Sequence, residues 1–245
     1  MEIGGKTALV TGGARRLGAS IARALAEARA NVVVHYHRSA AEAERLVQDI
    51  TARGVQAWAL SEDLKTRDGA DRLFAAAVEI AGPIDILVNS ASVFGEDDLR
   101  GVSAEAIEAN VRLHAWTPLE LSRRLAQQDR EAVIVNLLDT RIVDYDRQHV
   151  AYHLSKRALD TVTHMSALEF APKVRVNAVA PGVILPPEGK GEDYLRALAK
   201  TNPLQGHGCP EDVAEAVLFL VRSEFITGQV IFVDGGRHMK GCVYG

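Results

Sequence analysis

The chain has 245 residues, of which 47% are hydrophobic and 24% charged, and its formal net charge at pH 7 is −4. This length fits one large α/β domain with its own core, and mild acidity with both signs interspersed argues against bulk attraction to nucleic acid. Without an apolar signal region or an apolar run of membrane-spanning length, we expect a cytoplasmic protein that binds neither nucleic acid nor membrane. Cys209 and Cys242 form no ligand spacing, so we predict no metal site.

Short apolar runs alternate with amphipathic segments along the chain. The runs predict strands, at residues 7–10, 31–34, 56–59, 84–88, 132–137, 174–179 and 229–233. The amphipathic segments predict helices, at residues 17–29, 40–53, 67–81, 103–127, 147–171 and 210–222. Apolar strands separated by helices indicate a parallel sheet covered on both faces. We therefore predict an α/β fold of the Rossmann type, a single domain over residues 1–245 with a doubly wound, seven-stranded parallel sheet.

One interval interrupts this alternation. Residues 183–209 contain three prolines and several glycines, with only a short helical piece at residues 192–200. A long excursion inside a compact fold is usually a lid or a binding loop. We predict a substrate loop here, with a surface insertion as the alternative.

A glycine-rich turn, Thr11-Gly12-Gly13-Ala14-Arg15-Arg16-Leu17-Gly18, follows the first predicted strand and opens the first helix. Glycines let the backbone approach a pyrophosphate, and the free N–H groups of a helix N-terminus attract its charge. Tight turns also need glycine, but the position between a strand and a helix favours a dinucleotide site. The predicted cofactor contacts in this turn are Gly12, Arg15, Arg16, Leu17 and Gly18.

The end of the second strand indicates which nucleotide is bound. It reads His35-Tyr36-His37-Arg38-Ser39 and lacks the Asp or Glu that grips the ribose 2′-hydroxyl of NAD. A carboxylate would repel a 2′-phosphate, whereas Arg38 offers a planar cation and Ser39 a hydroxyl donor. We predict NADPH as the cofactor, with His37, Arg38 and Ser39 in contact with it. The alternative is that these residues are solvated loop groups.

Loops after two later strands extend the predicted cofactor site, because ligands bind at the carboxyl ends of strands in such sheets. Asp63 and Leu64 suit the adenine edge. The segment Asn89-Ser90-Ala91-Ser92 would lie beside the nicotinamide ribose.

Tyr152 and Lys156 stand four residues apart in a predicted helix, so they share a face. A nearby ammonium favours the phenolate, and we therefore expect Lys156 to lower the pKa of Tyr152 toward the working pH, as general acid–base catalysis requires. The spacing alone is common in solvated helices, but the cofactor motifs ahead of it favour a catalytic pair.

Together these motifs resemble the short-chain dehydrogenase/reductase family over essentially the whole chain, through to the late Val233-Asp234-Gly235-Gly236. The resemblance implies hydride transfer from a nicotinamide, with Tyr152 as proton donor or acceptor and Lys156 on the ribose. It also implies a homotetramer paired through the long helices.

The same resemblance assigns further residues. The segment Asn177–Gly182 matches the family, which implies cofactor contacts at Pro181, Gly182 and Val183. Asn110 matches the helix Asn that holds a water in the proton relay, which makes it a predicted catalytic residue. The alternative for Asn110 is a capping or solvent-facing role.

Asp139, thirteen residues ahead of Tyr152, stands where the family usually has Ser. A hydroxyl can donate to a developing alkoxide, whereas an ionised carboxylate repels it, so simple ketone reduction is disfavoured unless Asp139 is protonated. The pteridine reductase and dihydromonapterin reductase branch resembles the chain here, with an Asp at this position and an aromatic at Phe94. That resemblance implies a pterin stacked on Phe94, framed by Arg16 and Ser92, with Asp139 and Tyr152 delivering the proton.

Three functions remain open. The leading hypothesis is an NADPH-dependent reductase of a dihydropterin or related pteridine, with Asp139, Tyr152 and Lys156 as the proton-delivering group. The second is a carbonyl reductase of the same family, acting on a 3-oxoacyl or sugar ketone, with Asp139 neutral or replaced in its role by Thr140. The third is a catalytically silent, NADPH-binding sensor protein, for which the loss of the usual Ser is the one favourable feature.

Overall fold

The computed structural model describes residues 1–145, 147–187 and 189–242. The other residues of the predicted domain, which are 146, 188 and 243–245, lie outside the described part. Within that part seven strands form one sheet. They are β1 (Thr7–Thr11), β2 (Asn31–Tyr36), β3 (Ala57–Ser61), β4 (Ile86–Asn89), β5 (Ala132–Leu137), β6 (Val174–Pro181) and β7 (Val230–Val233). Their order is β3-β2-β1-β4-β5-β6-β7, and every neighbouring pair is parallel. The predicted Rossmann-type sheet is confirmed.

Helices connect the strands. They are α1 (Arg16–Glu27), α2 (Ala40–Thr51), α3 (Gly69–Ala81), α4 (Ala104–Val111), α5 (Thr117–Ala126), α6 (Val150–Glu169), α7 (Glu192–Ala199) and α8 (Pro210–Arg222). A π-helical turn, Arg112–Trp116, joins α4 to α5, so the single helix predicted over residues 103–127 changes its winding midway. Pro118 stands at the start of α5 and has no N–H, so it cannot donate the bond to the His114 carbonyl oxygen that a continuous α-helix would make there. No helix in the described part has the length and apolar character needed to cross a membrane.

The strands bury both faces. In β1, Ala8 and Val10 belong to one core cluster and Leu9 to another, as the two-residue period of a strand dictates. The first cluster includes side chains of α1, α2 and α8, and the second includes side chains of α3 and α5. Each fully buried Leu or Ile in these layers contributes roughly 1.5–3 kcal/mol. The result is a rigid, two-sided support for the loops at the strand ends.

The topology places the site. The strand order reverses between β1 and β4, whose last residues, Thr11 and Asn89, are register partners. In open α/β sheets the crevice at such a switch point binds the ligand. Every motif of the sequence analysis lies at this carboxyl edge or on an element that reaches it.

Candidate active site

The turn between β1 and α1 is packed too closely to accept a side chain at Gly12 or Gly18. Gly12 has φ +61°, and a Cβ on it would lie 2.8 Å from the Ala91 Cα. A Cβ on Gly18 would collide with the Gly12 carbonyl oxygen. At the start of α1, Arg15 makes no side-chain capping bond, and the first turn carries no acidic residue. The turn therefore fits a pyrophosphate, which needs close backbone approach and helix N–H groups.

His35 supports this turn from within the sheet. The Gly12 N–H donates to His35 Nδ1 over 3.0 Å, and His35 Nε2 lies 3.1 Å from the Glu62 carbonyl oxygen. Because an N–H can only donate, Nδ1 is the acceptor, and the proton sits on Nε2. Burial lowers the pKa of His35 to about 4, so the ring is neutral at physiological pH. The sequence placed His35 in a motif but gave no hint of this bond to Gly12.

The residues predicted for the adenosine end lie together at the edge formed by β2 and β3. His37 Nε2 is 3.7 Å from Asp63 Oδ2. Arg38 is exposed, and Ser39 precedes α2 without making a side-chain capping bond. Leu64 is buried beneath them. An exposed guanidinium and an uncommitted hydroxyl at one edge suit a phosphate group.

The loop after β4 is fastened to β1. Thr11 Oγ1 accepts the N–H groups of Ser90 and Ala91, over 3.0 and 3.1 Å. Asn89 Nδ2 donates to Asn136 Oδ1 over 2.8 Å, while Asn89 Oδ1 is buried without a hydrogen-bond partner in the described part of the chain. Leaving a buried acceptor unpaired is costly, so this oxygen fits a donor from a bound molecule.

The catalytic candidates meet where α6 crosses the end of β5. The Tyr152 hydroxyl donates to Asp139 Oδ2 over 3.1 Å, and the Arg141 N–H donates to Asp139 Oδ1 over 2.8 Å. Lys156 Nζ donates to the Leu137 carbonyl oxygen over 2.6 Å and lies 5.6 Å from the centroid of the Tyr152 ring. Both Tyr152 and Lys156 are buried. The structure therefore brings together Asp139, Tyr152 and Lys156.

The electrostatics of this group differ from the expectation. Burial, the charge of Asp139 and the hydrogen bond to Asp139 raise the pKa of Tyr152 well above its usual 10. The expectation that Lys156 lowers the pKa of Tyr152 is therefore wrong for this structure. Burial also lowers the pKa of Lys156 itself to about 8, and its ammonium is directed at the Leu137 carbonyl oxygen. Tyr152 is thus held in its protonated form, beside an acceptor.

Asn110 is not joined to this group by any hydrogen bond of the described residues. Its Nδ2 donates to the Ala106 carbonyl oxygen over 2.9 Å, and its Oδ1 is buried without a hydrogen-bond partner among the described atoms. Its catalytic role stays a prediction. One turn later on the chain, His114 reaches Tyr152, with ring centroids 5.5 Å apart. The sequence analysis missed His114, although a residue four positions from Asn110 shares its helix face.

Phe94 and His149 form an aromatic wall beside the Tyr152 ring. Phe94 stacks on His149 with centroids 3.9 Å apart and meets Tyr152 edge-on at 4.8 Å. Phe94 is 54% exposed, which excludes a core role and leaves ring surface for a ligand. His149 Nδ1 lies 2.7 Å from the Gly95 carbonyl oxygen, and this contact holds the His149 ring against Phe94. Ser92, also predicted to touch the substrate, lies on the same loop.

Arg16 joins the glycine turn to the predicted substrate loop. Its Nη2 donates to the Pro186 carbonyl oxygen over 2.8 Å. Pro181 ends β6, the Gly182 N–H donates to the Val233 carbonyl oxygen, and Val183 is buried. The predicted contacts of this segment therefore begin at the carboxyl edge of the sheet, and the loop that follows is bonded to the turn through Arg16.

Comparison with known proteins identifies the family. Residues 12–238 match the family profile described as enoyl-(acyl carrier protein) reductase. Versicolorin reductase 1 of Aspergillus parasiticus is 34% identical over 254 aligned positions, which cover 96% of this chain and 97% of that protein. The chain belongs to the short-chain dehydrogenase/reductase family. It is therefore an oxidoreductase of the nicotinamide-dependent kind, as the motifs predicted.

Solved structures of this family are close in shape but differ in the reactions that their names record. FolM alternative dihydrofolate reductase 1 from Brucella canis, complexed with NADP, has a TM-score of 0.90 and 34% identity, covering 98% of this chain and 96% of its own. The promiscuous reductase LugOII, which catalyses keto-reduction at C1 during lugdunomycin biosynthesis, has a TM-score of 0.89 and 30% identity, covering 97% and 100%. The family and the fold are thus shared by a dihydrofolate reductase and a ketoreductase.

Proposed function

We propose that the protein is an NADPH-dependent reductase of a dihydropterin or a related pteridine. The observation that carries this proposal is the pairing of Tyr152 with Asp139, at the position where the family usually has Ser. Both Asp139 oxygens face donors, the Tyr152 hydroxyl and the Arg141 N–H. A carboxylate in this place accepts N–H groups from a nitrogen-bearing ring, whereas it repels a developing alkoxide.

The residues present fit NADPH. Gly12 and Gly18 let the glycine turn pack tightly at the start of α1, where a pyrophosphate would bind, and Arg38 and Ser39 lie where a 2′-phosphate would bind. Bound NADPH supplies the hydride. Lys156, which is directed at the end of β5 in this structure, would hold the ribose. The NADP bound by the FolM relative supports this assignment.

The chain's own residues supply the substrate face and the proton. Exposed ring surface of Phe94 offers a stacking partner for a flat heteroaromatic ring. Tyr152, whose pKa is raised by burial and by Asp139, keeps its proton until a basic ring nitrogen comes within reach. Asp139, which accepts from the Tyr152 hydroxyl, holds that hydroxyl in place until its proton passes to the ring nitrogen. The resulting Tyr152 phenolate then takes up a proton from solvent, which completes the proton balance. Ser92 and Arg16 would frame the ring, since they lie on the loop of Phe94 and on the glycine turn.

A carbonyl reductase is the second candidate, because LugOII and versicolorin reductase are relatives of comparable identity. A carbonyl reductase in which the Thr140 hydroxyl takes the role of the family's usual Ser is disfavoured. The Thr140 hydroxyl is buried and donates to Asp234 Oδ2. Asp139 would then have to be protonated to serve a ketone.

Subunit pairing is a further part of the proposal. Three large hydrophobic side chains are exposed on this part of the surface. They are Trp116, at the end of the π-helical turn, and Met165 and Leu168 on α6. Exposed apolar side chains on neighbouring long helices favour pairing with a second copy. We propose a homotetramer in the cytoplasm; a monomeric mass by light scattering would contradict the oligomeric part.

Spectrophotometric assay of NADPH oxidation tests the function. We expect turnover with dihydrobiopterin or dihydromonapterin and at least about tenfold lower kcat/KM with small ketones. The matched variant is Asp139→Ser, which restores the family's hydroxyl and should reverse that preference. Turnover of ketones alone by the unaltered protein would overturn the pterin assignment. If the unaltered protein shows no turnover, so that Tyr152→Phe has no activity to abolish, the silent sensor would be favoured.

A further inference from the structure

His114 is a buried side chain to which the proposed reaction gives no part. It sits at the centre of the π-helical turn and is 1% exposed. The Val93 N–H donates to its Nε2 over 3.1 Å, and Ser92 Oγ lies 3.1 Å from the same nitrogen. Its Nδ1 lies 2.7 Å from Ser155 Oγ. Both ring nitrogens are therefore engaged, one by the loop after β4 and the other by α6.

The directions of these bonds fix the tautomer. A backbone N–H can only donate, so Nε2 accepts from Val93 and the ring proton sits on Nδ1. Nδ1 then donates to Ser155 Oγ, and the Ser155 hydroxyl donates to the Tyr152 carbonyl oxygen over 2.7 Å. Burial, with the charges of Lys156 and Lys65, lowers the pKa of His114 well below 6.5 and keeps the ring neutral.

Contacts between aromatic rings connect the same two elements, the loop after β4 and α6, a second time. The His114 ring meets the Tyr152 ring edge-on at 85°, and Tyr152 meets Phe94 edge-on at 90°. Phe94 follows Val93, so the loop that His114 holds is the loop that carries the aromatic wall. A π turn, which widens one turn of a helix and often marks a functional site, carries the ring between the two elements.

We propose that His114 is a positioning residue that holds the loop Ser92–Phe94, which follows β4, in register with the catalytic helix at Tyr152. Neutral and protonated at Nδ1, it accepts from the loop and donates to Ser155. It touches neither cofactor nor substrate. Its part is to keep the aromatic wall and the proton donor at one separation, and displacements of about 1 Å at such sites can cost 100-fold in rate. This role holds whichever substrate stacks on the wall.

The test compares two substitutions at position 114 with a matched control. His114→Phe keeps a flat ring but removes both hydrogen bonds, and His114→Gln keeps an acceptor and a donor. Glu79→Gln on the exposed face of α3 is the control, away from the site and from the proposed subunit contact. We expect His114→Phe to lower kcat about 30-fold or more with the NADPH dissociation constant within about threefold. His114→Gln should recover kcat to within about tenfold, and Glu79→Gln should match the unaltered protein.

Ser155→Ala provides the second arm and keeps the test decisive if His114→Phe does not fold. We expect Ser155→Ala to lower kcat about tenfold, and the double variant with His114→Phe to lose little more than His114→Phe alone, since both remove one connection. The assay uses whichever substrate the protein reduces, so failure of the pterin assignment leaves it intact. Amide exchange at Val93, faster in His114→Phe, gives a readout that needs no turnover. Unchanged kcat in both single variants, or fold-losses that multiply, would overturn the proposal.

Discussion

Two buried histidines serve the two halves of the site in opposite ways. His35, at the cofactor end, bridges backbone groups, the Gly12 N–H and the Glu62 carbonyl oxygen, with its proton on Nε2. His114, at the catalytic end, accepts from a backbone N–H and donates to the Ser155 hydroxyl, with its proton on Nδ1. The cofactor end is therefore shaped by the main chain, and the catalytic end depends on a network of side chains.

This difference predicts separable losses, of which the largest belongs to the catalytic end. Tyr152→Phe removes the hydroxyl that donates to Asp139 and delivers the proton. We expect kcat to fall about 1,000-fold, since general acid catalysis contributes roughly 100- to 10,000-fold. The NADPH dissociation constant, measured by fluorescence titration, should change by less than about threefold. A parallel loss of NADPH binding would show that the two halves are not independent.

The next largest loss belongs to the cofactor end. Gly12→Ala forces φ +61° on a residue with a side chain and places its Cβ 2.8 Å from the Ala91 Cα. Displacement of the turn should weaken NADPH binding about 100-fold, with an accompanying loss of roughly 1–3 kcal/mol in the free energy of unfolding. Gly101→Ala is the control, because a Cβ there meets its nearest neighbour, Asp98 Oδ1, at an ordinary 3.5 Å. Equal NADPH affinity in both variants would contradict the cradle.

The pH dependence of stability follows from the same histidines. In the folded protein the pKa of His35 is about 4, against an ordinary value of 6.5. Between pH 6.5 and 4, His35 is therefore protonated in the unfolded chain and neutral in the folded protein. Stability should therefore fall between pH 6.5 and 4, by about 2 kcal/mol for His35 on going from pH 7 to 5. His114, lowered by burial, adds in the same direction. Carboxyl groups with a lowered pKa, such as Glu62, change the stability only below about pH 4.5. The loss of stability between pH 7 and 5 therefore comes from the histidines.

Urea unfolding at pH 7 and pH 5 measures this effect. His35→Gln cannot take up a proton at this position in either state, so it should reduce the slope between these two pH values and leave the share of His114. A slope that His35→Gln leaves unchanged would assign the proton uptake to other groups.

The smallest predicted effect concerns the choice of nucleotide. Arg38 is exposed at the end of β2, where no carboxylate competes for a ribose hydroxyl. We expect the protein to bind NADPH at least about tenfold more tightly than NADH, roughly 1.4 kcal/mol. Arg38→Ala should remove most of that preference while leaving NADH affinity unchanged. Titration of both nucleotides against both proteins measures it, and equal affinities in the unaltered protein would contradict the assignment.

The sequence was sufficient where local chemistry decides the structure. Apolar runs, amphipathic periods and the glycine turn predicted the strands, the helices and the cofactor cradle, because each depends on neighbours in the chain. The pairing of Tyr152 with Asp139 was also expected, as an implication of the resemblance to the pteridine reductase branch. These features need only the fold's topology to bring them together.

What the sequence did not reveal depends on distant partners. His114 binds residues 22 and 41 positions away, and the π turn that carries it has no local signature beyond a nearby proline. The pKa of Tyr152 shifts opposite to the expectation, since desolvation by burial and the charge and hydrogen bond of Asp139 all raise it. The engagement of Thr140 by Asp234, 94 positions later, was equally hidden. Packing, not pattern, sets each of these.

The most direct test of the central claim is a crystal structure of the protein with NADP and a dihydropterin or a non-reactive pterin. We predict that the pterin ring lies between Phe94 and the nicotinamide, with ring or amino nitrogens within hydrogen-bond distance of Asp139 and Tyr152. A pterin bound elsewhere, or a ketone that places its carbonyl oxygen on Tyr152 while Asp139 turns away, would contradict it.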